Sequence, residues 1–332
     1  MDAAEHLVTL DAIRSAAERV RGVALATPLV PFATPAGERV LLKAESLQPI
    51  GAFKIRGAYN AIASLDPAVR GRGVAAASSG NHAQGVARAA RLLGTEATIV
   101  MPLDSPDVKR DRVRADGAQV VDWDPADPVW LQDVADELAA ERGLTMIHAF
   151  DNADVIAGQG TVGLEIAESV EDLAAVLVPI GGGGLISGLA TAVRAIRPGA
   201  RIVGVEPSLA ADAQESFRTG TLARWPPARS RRTIADGTRV NLAPRTFEHI
   251  RRLVDDIVTI DEDEIAAAVR LVAEGARLVA EPSGALAAAA ACFRWREAGL
   301  DRVSGTIVAI VSGGNVDPAA YRAYLAAPIP ER

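Results

Sequence analysis

Short apolar runs rich in Val, Ile and Ala recur at residues 40–43, 74–77, 97–101, 119–121, 146–148, 175–180, 202–205, 257–260 and 306–311, and segments of helical period separate most of them. Runs of this length and β-branched character read as strands, while 81–93, 108–115, 128–141 and 262–276 read as helices. The alternation fixes the fold class. Neighbouring parallel strands must be joined by a crossover, usually a helix, so the pattern predicts an α/β fold of open twisted sheets with helices on both faces. A chain of 332 residues can build one large or two ordinary domains, each with its own core. No fixed-period repeat or low-complexity linker is visible, which argues against a solenoid or tethered modules.

Composition excludes several partners. A net charge of -7 and a pI near 5.3 leave no excess of base for nucleic acid, and the short run Arg229 to Arg232 reads as a solvated loop. The longest apolar runs, such as 285–293, fall short of the roughly 20 residues that span a bilayer, so no membrane segment is expected. The N-terminus carries Asp2 and Glu5 with no basic region leading into an apolar stretch, so it does not read as a signal peptide. The single cysteine, Cys292, excludes an intrachain disulfide and reads as a small buried apolar side chain. A reducing, cytoplasmic setting is the expectation.

In open α/β sheets, ligands bind beyond the carboxyl ends of the strands. Three loops in such positions join small residues to polar ones: Ser78-Ser79-Gly80-Asn81-His82, Gly181-Gly182-Gly183-Gly184 and Ser312-Gly313-Gly314-Asn315. Four glycines between a strand and a helix that opens near Leu185 offer several backbone N–H groups at a helix N-terminus, an arrangement that binds phosphate. The segment lacks the Lys-Ser/Thr ending of a P-loop, and Ser187 stands where a dinucleotide fingerprint needs its third glycine.

Lysine occurs only at Lys43, Lys54 and Lys109 among 35 Lys and Arg residues. A lysine that arginine has not replaced invites a chemical question, because only an amine forms an imine. Lys54 lies in Gly51-Ala52-Phe53-Lys54-Ile55-Arg56-Gly57, where apolar neighbours would desolvate the amine and lower its pKa. A surface lysine with a buried stem is the plainer alternative.

Taken together, segments 45–58 (ESLQPIGAFKIRGA), 78–85 (SSGNHAQG), 156–161 (IAGQGT), 179–185 (PIGGGGL), 204–207 (GVEP), 235–237 (ADG) and 312–315 (SGGN) resemble the threonine/serine dehydratase and serine racemase family. They fall in family order from about Thr27 to Asn315. The resemblance implies a tryptophan-synthase-β-like pyridoxal phosphate enzyme of fold type II. Residues 74–149 would form a small domain closing over the substrate, and 1–73 with 150–332 a large cofactor-binding domain. It further implies a homo-oligomer, a dimer or tetramer, that acts on a small amino acid.

By motif position, the resemblance makes Lys54 the Schiff-base lysine, Gly181 to Leu185 the phosphate loop and Asn81 the partner of the cofactor's 3′ oxygen. Ser312 would meet the pyridine nitrogen, with Phe53 and Gly237 on the two ring faces. A hydroxyl at Ser312 would not hold the pyridine protonated, which favours elimination over transamination. Lys54 is then the base for the Cα–H bond. Ser79 resembles the family's proton carrier on the opposite face, as racemisation requires; the alternative is that the loop Ser78, Ser79, Gly80, Asn81 and His82 binds the substrate carboxylate. Glu206, the carbonyl of Ala210 and Asp212 match the spacing of a magnesium or calcium site. The plainer alternative has Glu206 capping the next helix and Asp212 facing solvent. His6, His148 and His249 show no metal-ligand spacing.

Two positions depart from the family. Ala52 replaces the usual serine before Phe-Lys, and Val240 falls about where serine racemases carry a hydroxyl near the substrate. Both losses argue against serine as the preferred substrate and against efficient racemisation. The chain ends soon after Asn315, so a C-terminal regulatory domain and feedback by isoleucine are not expected. The expected activity is thus a pyridoxal phosphate-dependent ammonia-lyase on L-threonine, L-serine or another β-hydroxy amino acid. Racemisation, β-replacement, 3-hydroxyaspartate ammonia-lyase activity and a non-catalytic cofactor-binding role are the rivals.

Overall fold

The strands are β1 (Leu29–Ala33), β2 (Arg39–Ala44), β3 (Val74–Ala77), β4 (Ala97–Pro102), β5 (Gln119–Trp123), β6 (Thr145–Met146), β7 (Leu173–Pro179), β8 (Arg201–Pro207), β9 (Asp256–Ile260) and β10 (Thr306–Val311). The structure, a computed structural model, describes residues 7–105, 107–127 and 129–330. The strands form two sheets, ordered β1-β2-β10-β7-β8-β9 and β5-β4-β3-β6. Every pairing is parallel except that of β1 with β2. The crossover helices that parallel pairing demands therefore cover both faces. Along β7, Leu177 points into a core with helices Glu262–Ala276 and Pro282–Phe293. Its neighbours Val176 and Val178 point the other way, toward helices Ala153–Ser169 and Gly184–Ile196. This period of two explains why a doubly covered strand reads as an unbroken apolar run.

The pattern misled in three places. β1 was not foreseen, because Pro31 interrupts its apolar run; an antiparallel edge strand tolerates a proline that a central strand does not. The helix expected at 128–141 runs Leu131–Arg142, with Trp130 as its N-cap, and Pro128 lies outside the described residues. β6 stops at Met146 instead of running to 148. His148 Nδ1 accepts the backbone N–H of Phe150 and Asp151 at 3.4 and 3.0 Å, which turns the chain out of the sheet. The N-terminal residues Asp2, Glu5 and His6 also lie outside the described residues.

Helix Lys54–Ala63 joins the two halves of the structure by packing on helices Asn81–Leu93 and Ala153–Ser169. Its anchor is Arg56, 1% exposed. The guanidinium grips Glu45 with two bonds of 2.8 Å, reaches Glu165 at 2.6 Å and Thr161 at 3.0 Å, and donates to the Leu25 carbonyl at 2.8 Å. Lys43 binds the same Glu165 at 2.5 Å. Burial by itself would raise the pKa of Glu45, but Arg56 holds the carboxyl below its ordinary value. Removing one partner of a buried pair leaves an uncompensated charge. Arg56→Ala should therefore cost about 3–5 kcal/mol in urea unfolding. Glu165→Gln should cost less, because that side chain is 26% exposed. A loss below about 1 kcal/mol for Arg56→Ala would rule out the anchoring role.

Candidate active site

The loops singled out from the sequence leave the carboxyl ends of β3, β7 and β10. Contacts close them into a ring around a cleft. The Phe53 N–H donates to the Ser312 carbonyl at 3.0 Å, and the Lys54 amine donates to the Ala149 carbonyl at 3.0 Å. The next residue, Phe150, lies against the glycine loop so closely that a methyl group on Gly182 would run into its ring. A methyl group on Gly181 would lie 2.9 Å from the Gly237 carbonyl. Gly237 sits in the turn Asp236–Thr238 and donates its N–H to Ser283 Oγ at 2.9 Å. Asp236 binds Lys109 at 2.6 Å, and Lys109 lies beside Gly80, which returns the ring to Asn81.

Gly183 is the N-cap of helix Gly184–Ile196 with φ +84°, a left-handed conformation that strains residues bearing a Cβ. The first-turn N–H groups of that helix have no intrahelical acceptor. Gly181, Gly182, Gly183, Gly184 and Leu185 thus form a cradle fitted to an anion, packed tightly on its underside by Phe150 and Gly237.

The three lysines are all withdrawn from solvent to some degree, but they differ in partners. Lys43 lies against Glu165, and Lys109 against Asp236. Lys54 has only the Ala149 carbonyl and the face of Phe53, 5.1 Å from the ring centroid. Burial without a compensating carboxylate pushes its pKa down to about 8.

Across the cleft, Ser79 is exposed with no hydrogen bond to the described residues, and Ser78 Oγ accepts the Gly80 N–H at 3.1 Å. His82 is buried beneath them, with Nε2 donating to the Ile147 carbonyl at 2.8 Å. Burial, with Lys54 adding repulsion, pushes its pKa down to about 3, so the ring stays neutral. Ser312 is 6% exposed at the end of β10. Ala52 is fully buried and pairs with Gly313. Val240 is 44% exposed.

Glu206 accepts the N–H of Ala213 at 3.1 Å and of Gln214 at 2.7 Å, capping helix Asp212–Thr219. Asp212 does not face solvent. It is 2% exposed and accepts the Leu242 N–H at 2.9 Å, with Ala210 buried between the two acids in sequence. Burial, and then Asp212, push the Glu206 carboxyl well above its ordinary range; burial raises Asp212 to about 6. Among the described residues no group of three or more His, Cys, Asp or Glu side chains could hold a metal. An ion here would need carbonyls and water to complete its shell.

Phe150, Asp236, Lys109 and Glu281 were not assigned roles from the sequence. Lys109 carried a signal as one of only three lysines. Asp236 lay inside a quoted motif. Phe150 and Glu281 carried none, because their importance arises only when distant segments meet.

A family model described as pyridoxal-phosphate dependent enzyme matches residues 20–313. The chain belongs to this family. It is 42% identical over 286 residues, 86% of its length and 85% of the relative's, to L-threo-3-hydroxyaspartate ammonia-lyase of Saccharomyces cerevisiae. The maize serine racemase structure superposes with a TM-score of 0.89 at 38% identity, covering 96% of this chain and 97% of that one. A serine racemase structure from Dictyostelium discoideum gives a TM-score of 0.85 at 35% identity, covering 93% and 99%. L-threonine ammonia-lyase of Thermotoga maritima is 40% identical over 316 residues, 94% of this chain and 76% of the relative's. The fold is that of type II pyridoxal phosphate enzymes. No described helix is long and apolar enough to cross a membrane.

Proposed function

We propose that this protein is an ammonia-lyase that dehydrates a small β-hydroxy amino acid such as L-threonine or L-serine and releases the 2-oxo acid and ammonia. The observation that carries the reading is the Lys54 amine, desolvated and, among the described residues, paired with no carboxylate. The cleft suits pyridoxal phosphate, which supplies the electron sink for a broken Cα–H bond. Lys54 would hold its aldehyde carbon, and Gly181 to Leu185 its phosphate. Asn81 would reach its 3′ oxygen, Ser312 its ring nitrogen, and Phe53 and Gly237 its two faces.

Lys54, its pKa lowered to about 8 by burial, would be the base for the substrate Cα–H bond beside the bound cofactor. Ser78 to His82 bring backbone N–H groups to the start of helix Asn81–Leu93, where a substrate carboxylate is favoured. A hydroxyl at Ser312, unlike a carboxylate, would not hold the ring nitrogen of a bound cofactor protonated, which would favour loss of the β-hydroxyl over transamination. Racemisation is the second reading, favoured by the exposed hydroxyl of Ser79, which bonds to none of the described residues. Likeness to the yeast ammonia-lyase adds 3-hydroxyaspartate to the candidate substrates. A magnesium or calcium ion between Glu206, the Ala210 carbonyl and Asp212 belongs to the same reading, supported by two buried carboxylates whose repulsion a cation would relieve.

A panel of β-hydroxy amino acids, read for oxo acid, ammonia and enantiomer together, should give ammonia and oxo acid in equal amounts. Accumulation of the enantiomer alone would overturn the lyase reading. Cofactor uptake by the apoprotein needs the neutral amine, so its rate should rise with pH through about 8 and then level off, and Lys54→Ala should remain folded without the cofactor's visible band. A pH-independent rate would remove Lys54 from that role. Chelation should lower the melting temperature, magnesium or calcium should restore it by mass action, and Glu206→Ala should not respond. A wild type indifferent to chelation would dismiss the cation.

A further inference from the structure

Four polar side chains form a relay that passes back and forth across the cleft. Arg112, on helix Asp107–Ala115, donates to Asn315 Oδ1. Asn315 Nδ2 donates to the Ile50 carbonyl and to Asn81 Oδ1, both at 2.8 Å. Asn81 Nδ2 donates to Glu281 Oε1 at 2.5 Å. The ends fix its direction, because a guanidinium only donates, whereas a carbonyl and an ionised carboxylate only accept. Asn315 must turn its oxygen to Arg112, and Asn81 must then turn its nitrogen to Glu281. One N–H of Asn81 remains unused.

Glu281 behaves unlike an ordinary helix cap. It is the N-cap of helix Pro282–Phe293 yet makes no side-chain capping bond. Its side chain, 3% exposed, turns to Asn81, and Oε2 has no hydrogen-bond partner. Gly313 makes the room: a side chain there would strike Glu281 Oε1 and lie 3.2 Å from Asn81 Nδ2. The charged groups about it are Lys109, 3.9 Å from Oε2 on helix Asp107–Ala115, Asp236 in its turn, and Arg239, which repels Lys109. Burial raises Glu281 to about 7 while Lys109 opposes the rise, so the carboxylate is ionised above that pH. A buried carboxylate oxygen without a hydrogen bond costs stability, which points to a task other than folding.

We propose that Glu281 is a positioning residue: it takes one N–H of Asn81 and so aims the other at the 3′ oxygen of bound pyridoxal phosphate, with Asn315 and Arg112 fixing the far end. The proposal rests on the role of Asn81 given above. An aimed N–H favours the ionised 3′ oxygen over the protonated phenol, and the two forms of the bound cofactor absorb at different wavelengths. Since Arg112 and Asn81 lie on helices of the smaller sheet and Asn315 and Glu281 follow the larger one, displacing either side breaks the relay.

Glu281→Gln, Glu281→Asp and Arg112→Met, each loaded with pyridoxal phosphate, test this by absorbance at fixed pH above 7. In Glu281→Gln the ratio of the long-wavelength to the short-wavelength band should fall about tenfold, the effect of one charge-assisted hydrogen bond. Glu281→Asp should recover part of the ratio. Arg112→Met should lower it by a smaller factor, and because Arg112 is exposed this variant decides the matter if Glu281→Gln does not fold. An unchanged ratio in either folded, loaded variant overturns the proposal. A wild type that shows neither band overturns the cofactor assignment instead.

Discussion

Everything in the cleft hangs on a guanidinium that never meets water. Arg56 draws Glu45 from the end of β2 and Glu165 from helix Ala153–Ser169 onto one side of helix Lys54–Ala63. The desolvation of such a cluster is expensive, and an apolar set of equal volume would often be as stable. What an ionic cluster supplies is directionality. A guanidinium bonded along three edges cannot rotate or slide, so the helix that begins at Lys54 has one register against both neighbours. The reactive amine inherits that position two residues away.

Charge is then distributed so that one lysine differs from the others. Lys43 is paired with Glu165 and Lys109 with Asp236. Lys54 is partly buried without an acid beside it among the described residues, and desolvation favours its neutral, nucleophilic form. Phe150 packs against the glycine loop and its neighbour Ala149 accepts the Lys54 amine, so one short segment touches both. Rigid spacing between an imine-forming amine and a phosphate site is what a ring-shaped cofactor with groups at both ends requires.

The sequence disclosed the parallel sheets because a strand buried on both faces is apolar throughout, and its loops disclosed themselves through glycine and serine at strand ends. It concealed β1, where Pro31 is tolerated only because the strand is an edge. It also concealed Phe150 and Glu281. Neither has a local signature: Phe150 matters because Gly182 packs against it, and Glu281 because Gly313 and Asn81 come from segments far away in sequence. The motif residues Ser78, Asn81, Gly237 and Ser312 were legible by resemblance, yet their mutual placement depends on contacts that no spacing contains.

Substrate selectivity must come from side chains that meet the substrate. Relatives with different names share this backbone at similar identity, so the fold itself does not choose the reaction. Ser79 keeps an exposed hydroxyl. Val240 is exposed and apolar, and a site that offers a methyl surface where another offers a hydroxyl cannot reward a polar substrate group with a hydrogen bond. Discrimination against an unrewarded group is weak, whereas contact with an added methyl is modestly favourable.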